Sequence, residues 1–157
     1  ATSPRSADLA VWRSFLVAYH GVMKQLEAEL DQAEGIPLHH YDVLVHLAEA
    51  PGRRLRMADL ADRVLLSRSG LTRLVDRLER EGLVCREACT SDGRGTYTVL
   101  TDAGLERLRG ASVAHLDGVR RHFADVLSDS ELAALGQIMD RLIAHRGAPH
   151  AEARTTV

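Results

Sequence analysis

The chain has 157 residues, of which 45% are hydrophobic, and 20 lysines and arginines against 22 aspartates and glutamates give a net charge of −2. These values are typical of one globular domain, or of one domain with a helical extension, and they exclude a strongly basic nucleic-acid-binding chain. No apolar stretch approaches the roughly 18 to 20 residues of a membrane span and no secretory leader opens the chain, so we expect a cytoplasmic protein.

Positive charge is concentrated in the middle of the chain. Residues 1–52 carry three basic and seven acidic side chains, residues 53–94 ten and seven, and residues 95–157 seven and eight. The balances are therefore −4, +3 and −1. Lys24 is the only lysine, so the preference for arginine is global. The central excess gives modest support for contact with an anionic partner.

The first predicted helix spans Asp8 to Ala33. Its apolar side chains are spaced alternately by three and four residues: Leu9, Trp12, Leu16, Tyr19, Met23, Leu26 and Leu30. This is the heptad pattern of a helix that packs lengthwise against other helices.

Three elements lead from there to the centre of the chain. A second helix is predicted over Leu38 to Ala50, after Pro37. Its buried stripe is Tyr41, Leu44, Val45 and Ala48. Arg53 to Arg56 is interpreted as a short basic connector, and a third helix follows over Met57 to Leu65.

The helix after Ser67 is strongly amphipathic, since successive residues are turned by about 100°. One side is apolar: Leu71, Leu74, Val75 and Leu78. The opposite side is polar: Ser69, Thr72, Arg73, Asp76, Arg77 and Arg80. Arginine and hydroxyl side chains are those that bond base edges and phosphates. Ser67 is placed to cap this helix, and Gly82 to end it in the left-handed conformation that glycine tolerates.

A β hairpin is predicted next. Leu83 and Val84 begin one strand, residues 91–95 have turn composition, and Tyr97 to Leu100 form the returning strand. A polar-faced helix followed by a hairpin with Arg94 at its tip is a winged helix-turn-helix.

Two helices are predicted at the C-terminal end. Thr101 caps the first, which runs to about Val126, and Ser128 to Glu131 form an S-x-x-E capping box for the second. The second carries the stripe Leu132, Leu135, Met139 and Leu142. A chain of this length cannot bury the apolar seams of the helices at both of its ends. We therefore expect a second subunit to cover them. The alternative is a monomer whose terminal helices close over its centre.

The predicted fold class is mainly α with a small β wing. Residues 37–101 form a winged helix-turn-helix DNA-binding domain, and residues 8–36 and 102–147 form a helical dimerisation region. Residues 1–7 and 148–157 are predicted to be a disordered arm and tail.

Several runs of this sequence resemble the MarR (multiple antibiotic resistance regulator) family, over about Leu9 to Leu142. They are YDVL at 41–44, APG at 50–52, LA at 60–61, LSRS at 66–69, LVDRLEREGLV at 74–84, DGR at 92–94 and LTDAG at 100–104. The resemblance implies a homodimeric transcriptional regulator, usually a repressor, that releases DNA when a small molecule binds. The chain departs from the family pattern at His40, where Gln is frequent, and at Pro37, where Ser or Thr is frequent.

Seven residues are candidates for DNA contact. Ser69, Thr72 and Arg73 are expected at base edges, because they lie near the end of the helix that enters the major groove. Phosphate contacts are expected from Ser67, Arg68 and Arg77, and a minor-groove contact from Arg94.

Each of these assignments has a plainer alternative. In the alternative for the helix, its polar face is simply solvated and Asp76 pairs with Arg80 or Arg73. Arg94 is then an ordinary turn residue. The arginines of the connector, Arg53, Arg54 and Arg56, either contact phosphates or are solvated loop charges.

The resemblance places effectors between the first two helices, the fifth helix and the winged domain. Arg13 and His20 are seven residues apart and share a face of helix one. With Trp12 and His40, and with Tyr19, His39 and Tyr41 nearby, they form a candidate site for an aromatic carboxylate or phenol. The alternative is an exposed arginine and a histidine whose hydrogen bonds are already satisfied.

No metal, cofactor or catalytic site is expected. The eight histidines include no H-x3-H pair or Cys/His cluster with ligand spacing. Cys85 and Cys89 lie about 13 Å apart in a regular strand, too far for a disulfide, and are interpreted as structural thiols. There is no nucleophile elbow and no glycine-rich phosphate loop, so the chain is not expected to be an enzyme.

The sequence therefore predicts a homodimeric, sequence-specific DNA-binding transcriptional regulator. A small-molecule ligand would release this repressor from a pseudo-palindromic double-stranded operator. The alternative is a winged-helix protein-interaction module that binds no DNA. A steep loss of duplex affinity with salt would discriminate between the two.

Overall fold

The computed structural model describes residues 4–64, 66–88 and 95–145. Six helices and three strands follow one another in the described part: α1 (Ser6–Glu34), α2 (Leu38–Glu49), β1 (Arg54–Arg56), α3 (Met57–Arg63), α4 (Arg68–Arg80), β2 (Val84–Ala88), β3 (Thr96–Leu100), α5 (Asp102–His122) and α6 (Asp129–His145). Short 3-10 turns lie at Pro51–Arg53 and Ala124–Val126. The mainly helical fold with a small β wing is confirmed.

The three strands form one antiparallel sheet in the order β1-β3-β2. β2 pairs with β3 from Val84↔Leu100 to Ala88↔Thr96, which is the predicted hairpin. β1 pairs with the other edge of β3, so the prediction of a simple connector at Arg53 to Arg56 is wrong. The segment is a strand because its central residue, Leu55, is buried in the core and its backbone pairs with β3.

The core lies between α2, α3, α4 and the inner side of the sheet. The whole predicted apolar side of α4 is buried: Leu71, Leu74, Val75 and Leu78. In α2 the stripe is broader than predicted, since Val43 and Leu47 are fully buried whereas Val45 and Ala48 are only partly so. The reason is that α2 is packed from several sides, by α1, α5 and the sheet.

Helix ends differ from the predicted ends by a few residues. α1 begins at Ser6, so the last two residues of the predicted arm 1–7 are helical. The Arg5 backbone N–H donates to the Asp8 carboxylate at 3.0 Å, which caps the helix. α5 ends at His122 rather than near Val126, because the backbone of Phe123 leaves the helical region at φ −132°. No glycine or proline marks this break in the sequence.

α1 and α5 lie together, but only along half of α1. Leu26 and Leu30 are buried. Glu29 accepts hydrogen bonds from Arg121 and pairs with the His122 ring, and Arg107 bonds the Glu34 carboxylate at 3.0 Å. The N-terminal half of the seam is exposed in the single chain: Leu9, Trp12, Leu16 and Tyr19. None of the described helices is both long and apolar enough to cross a membrane.

Candidate nucleic-acid interface

α4 has well-formed caps at both of its ends. Ser67 is the N-cap, and its Oγ accepts a hydrogen bond from the Gly70 backbone N–H at 3.1 Å, as predicted. At the other end Gly82 has φ +73°. The Gly82 N–H donates to the Glu79 carbonyl and the Leu83 N–H to the Leu78 carbonyl, at 3.0 and 2.9 Å. These two bonds are the Schellman pattern, which turns the chain back along the helix.

The N-terminal half of α4 presents three predicted contact residues to solvent. Ser69, Thr72 and Arg73 are exposed, on the side opposite the buried leucines. Ser69 Oγ lies 3.4 Å from the capping Ser67 Oγ. The Arg73 guanidinium makes no hydrogen bond or ion pair within the described ranges. A free guanidinium next to two hydroxyl residues is chemically suited to a base edge or a phosphate.

The C-terminal half of α4 is more internally paired. Arg77 donates to the Glu81 carboxylate at 3.1 Å, and Arg80 donates to the backbone carbonyl of Asp76 at 3.2 Å. Arg77 therefore has an ion-pair partner within the protein that the sequence analysis did not name. Its pair with Glu81 is exposed, and exposed pairs of this kind are weak and exchange readily.

Asp76 and Glu79 share a partner that the sequence reasoning missed. The alternative of a solvated face pairs Asp76 with Arg80 or Arg73, whereas in the structure its Oδ1 lies 2.5 Å from the Arg86 guanidinium. The second arm of the same guanidinium bonds Glu79. Gly82 is the sequence feature that could have indicated this pairing. A Schellman turn at that glycine folds β2 back along α4, so that Arg86 faces the helix.

The arginines between α2 and α3 have partners within the protein. Arg53 pairs with Asp102 at 3.1 Å, and Arg54 lies 3.8 Å from Glu87. The guanidinium groups of Arg54 and Arg56 lie 5.0 and 5.7 Å from the centre of the Tyr97 ring. These contacts hold the three arginines against the protein, so part of their positive charge is already paired and is less available to phosphates.

Two of the predicted contact side chains, those of Arg68 and Arg94, lie outside the described residues. The same is true of Cys89 and of residues 91–93 of the predicted wing tip. Cys85 is a free thiol in β2.

The four predicted ligand residues occupy different environments. Trp12, Arg13 and His20 are exposed on the N-terminal half of α1, where Trp12 stacks on Phe15 at 5.8 Å. His40 is buried, with 3% of its surface exposed. Burial, and then the charges of His39 and Arg77, lower the pKa of His40 to about 4. His40 is thus a neutral core residue beside α4.

A polar cluster between α2 and α5 was not singled out from the sequence. Tyr41 donates to Ser112 Oγ at 3.3 Å and its ring lies 4.5 Å from that of His115. Burial raises the pKa of Asp42 and lowers the pKa of His115. Nδ1 of His115 and Nδ1 of His46 are buried without a partner in the described part of the chain. Among those residues no three His, Cys, Asp or Glu side chains are grouped to hold a metal ion.

Comparison with known proteins gives a consistent result. A family model described as MarR family matches residues 34–95. Sco3205, a MarR family transcriptional regulator from Streptomyces coelicolor whose crystal structure is in complex with DNA, is 40% identical to this chain. It superposes with a TM-score of 0.85 over 98% of this chain and 95% of its own.

Two further relatives agree with it. AbsC, a MarR family transcriptional regulator from the same organism, is 36% identical, with a TM-score of 0.84 over 94% of this chain and 99% of its own. The HTH-type transcriptional repressor YetL of Bacillus subtilis (strain 168) is 30% identical over 111 residues. That alignment covers 69% of this chain and 66% of YetL.

Proposed function

This chain belongs to the MarR family, and we propose that it is a homodimeric, sequence-specific DNA-binding regulator, a repressor that a small-molecule ligand releases from its operator. As a member of this family it is a DNA-binding transcription regulator rather than an enzyme. The repressor role, the dimer and the ligand are the parts that we propose. A cytoplasmic location belongs to the same proposal.

The observation that carries the proposal is the outward face of α4. The helix is capped at both ends and buries one complete side, so its other side is rigidly presented. That side offers Ser69, Thr72 and Arg73, and Arg73 has no ion-pair partner among the described residues. Sco3205, 40% identical over nearly the whole chain, was crystallised with DNA. We infer that α4 is the recognition helix and enters the major groove.

We assign the contacts as the sequence predicted them. Ser69, Thr72 and Arg73 read base edges, and Arg73 has the fork geometry for a guanine O6/N7 pair. The phosphate contacts are Ser67, Arg68 and Arg77, and Arg94 enters the minor groove beside the recognition helix.

The dimer is supported by the uncovered seam on α1. Trp12 is 54% exposed and Leu16 42%, although both continue the line of Leu26 and Leu30, which are buried. In α6, too, none of the residues is buried, although the stripe of Leu132, Leu135, Met139 and Leu142 is apolar. A second copy would cover both surfaces, and its two-fold axis would set two half-sites about one helical turn apart.

We propose that four residues form the ligand site. Arg13 and His20 are exposed on α1 beside the seam that a second copy would cover, which suits capture of an aromatic carboxylate or phenol. Trp12 lies on the seam itself, so in the dimer it would contribute from the edge of the subunit interface. His40 is buried, so it would contribute only if α2 yields around the ligand. If an aromatic-acid panel shifts the melting temperature of Arg13→Ala and wild type equally, the site is wrong. Arg141→Ala is the control, since this exposed arginine lies on α6, which is not among the elements assigned to the effector site.

DNA binding is tested with two arginine variants and a salt series. We expect wild-type affinity for a selected duplex to fall steeply between low and moderate salt. Arg73→Ala should relax preference at one base pair, whereas Arg68→Ala should weaken all sequences alike. Arg109→Ala serves as the control, since this exposed arginine lies on α5. Unchanged binding in both variants would contradict the assigned face. Weak wild-type binding that does not depend on salt would favour the alternative, a protein-interaction module that binds no DNA.

A further inference from the structure

An acidic side chain lies in the middle of the face that we assign to DNA. Asp76 follows Ser69 by seven residues and Arg73 by three, so all three project from the same side of α4. The Asp76 side chain is 48% exposed. Glu79 lies one turn further, partly exposed on the edge of this side. Two carboxylates at this position would repel the phosphates that the neighbouring arginines attract.

Both carboxylates are held by one arginine from outside the helix. Arg86, on β2, bonds Asp76 through one arm of its guanidinium at 2.5 Å and Glu79 through the other. Its backbone N–H also donates to Glu79, at 3.1 Å. Burial by itself would lower the pKa of Arg86, but the bonds to Asp76 and Glu79 outweigh burial and raise it.

The geometry of this fork has two consequences for the surface of α4. The guanidinium cancels one of the two negative charges, and it directs both carboxylates toward β2 instead of toward the outward face. It also ties the first strand of the wing hairpin to the helix through two side chains and a backbone amide. The Arg86 side chain is only 27% exposed, and both arms of its guanidinium are bonded to these two carboxylates. Its positive charge is therefore used within the protein.

We propose that Arg86 is a positioning residue of the DNA-binding surface, which neutralises and turns aside Asp76 and Glu79 so that the recognition helix can approach the phosphate backbone. The proposal rests on the proposed function, since it presupposes that α4 faces DNA. It assigns Arg86 no contact with DNA of its own.

The first test is Arg86→Gln, measured against a labelled mixed-sequence duplex of about 30 base pairs, long enough for two half-sites one turn apart. No operator is needed, because repulsion by phosphates does not depend on sequence. We expect the variant to bind on the order of tenfold more weakly than wild type at low salt, because two acids are released beside the phosphates. The deficit should shrink as added salt screens the repulsion.

Two matched variants control for charge and for folding. Arg109→Gln removes an exposed arginine that pairs with one acid, Glu106, on α5 and away from the assigned interface. Arg120→Gln removes a guanidinium that also bridges two carboxylates, Asp117 and Asp125, but in α5. Each should change duplex affinity by less than about threefold. Melting temperatures are measured for all variants, and binding is assayed well below the lowest.

The decisive comparison is a rescue. In the triple variant Arg86→Gln, Asp76→Asn and Glu79→Gln, the amides can still hydrogen-bond but no acid remains. We expect its affinity to return to within about threefold of wild type. A merely structural role would leave the triple variant as weak as Arg86→Gln alone, and that result overturns the proposal. Wild-type affinity in Arg86→Gln would overturn it as well.

Failure of the proposed function has a different signature. A wild-type chain whose duplex affinity is weak and independent of salt would contradict DNA reading itself, and Arg86 would then be only a structural link. Steep salt dependence in wild type combined with an unrescued triple variant would leave DNA reading intact and remove the role of Arg86 alone.

Discussion

Gly104, in the first turn of α5, lies directly against the backbone carbonyl of Leu83, in the turn that follows α4. A Cβ atom at Gly104 would overlap the Leu83 oxygen and come within 2.7 Å of Leu100 Cδ1. Thr101 strengthens the junction, since its N–H donates to the Leu83 carbonyl at 3.1 Å and its hydroxyl to the Gly82 carbonyl at 2.7 Å. The start of α5 therefore packs directly against the end of α4, so the two helices are mechanically linked.

We expect Gly104→Ala to lower the free energy of unfolding by about 1 to 3 kcal/mol, because overpacking forces the backbone of the junction apart. Urea denaturation followed by circular dichroism measures it. Gly110→Ala is the matched control on the same helix, since the nearest atom to its added Cβ is a flexible Glu34 oxygen at 3.8 Å. Equal stability of the two variants would contradict the close packing at Gly104.

The serine caps of α4 and α6 offer a paired experiment. Ser67 Oγ accepts from the Gly70 N–H, and Ser128 Oγ accepts from the Glu131 N–H at 3.4 Å. Each serine-to-alanine change should lower stability by about 1 kcal/mol, as loss of an N-cap does. Only Ser67→Ala should also weaken duplex binding, because that cap orients the groove-entering end of the recognition helix. A similar loss of duplex affinity in Ser128→Ala would contradict the assigned interface.

His40 makes stability depend on pH between about 4 and 6.5. Its folded-state pKa is lowered to about 4, chiefly by burial, whereas the unfolded chain takes up the proton near 6.5. The unfolded state therefore binds more protons in this window, so stability falls as the pH is lowered through it, by a total on the order of 3 kcal/mol. Denaturation midpoints at several pH values should fall less steeply in His40→Gln than in wild type. Parallel curves would refute the burial of a neutral His40.

The seam of α1 can be tested with two neighbouring residues. Leu16 lies on the line of Leu26 and Leu30, whereas Val17, 73% exposed, lies off it. Leu16→Glu should convert the dimer to monomers, because a charge would be buried against the partner. Val17→Glu should leave the dimer intact. Sedimentation velocity reports both, and monomers in both variants or in neither would argue against this seam.

Local features were predictable from the sequence because local physics determines them. The amphipathic period of α4, its cap at Ser67 and its end at Gly82 all follow from residues within a few positions of one another. The capping box of Ser128 and Glu131 is of the same kind, and its reciprocal bond of 2.8 Å is present. Such signals need no knowledge of the rest of the fold.

What the sequence did not reveal depends on contacts made elsewhere in the fold. β1 has three residues, too few for a period, and exists because it pairs with β3 more than forty residues later. The Arg86 fork requires β2 to fold back along α4, whereas helical spacing alone suggested a pair between Asp76 and Arg80. Arg80 instead bonds the Asp76 backbone carbonyl. The burial of His40 likewise depends on packing around α2 that the sequence pattern did not indicate.

The central claim, two subunits that present paired recognition helices to one duplex, is tested most directly by sedimentation equilibrium with and without a selected duplex. We predict a free protein of about 34 kDa, twice the 17.2 kDa of one chain, and two chains on each duplex. A free species of 17.2 kDa that binds the duplex as a single chain would contradict it.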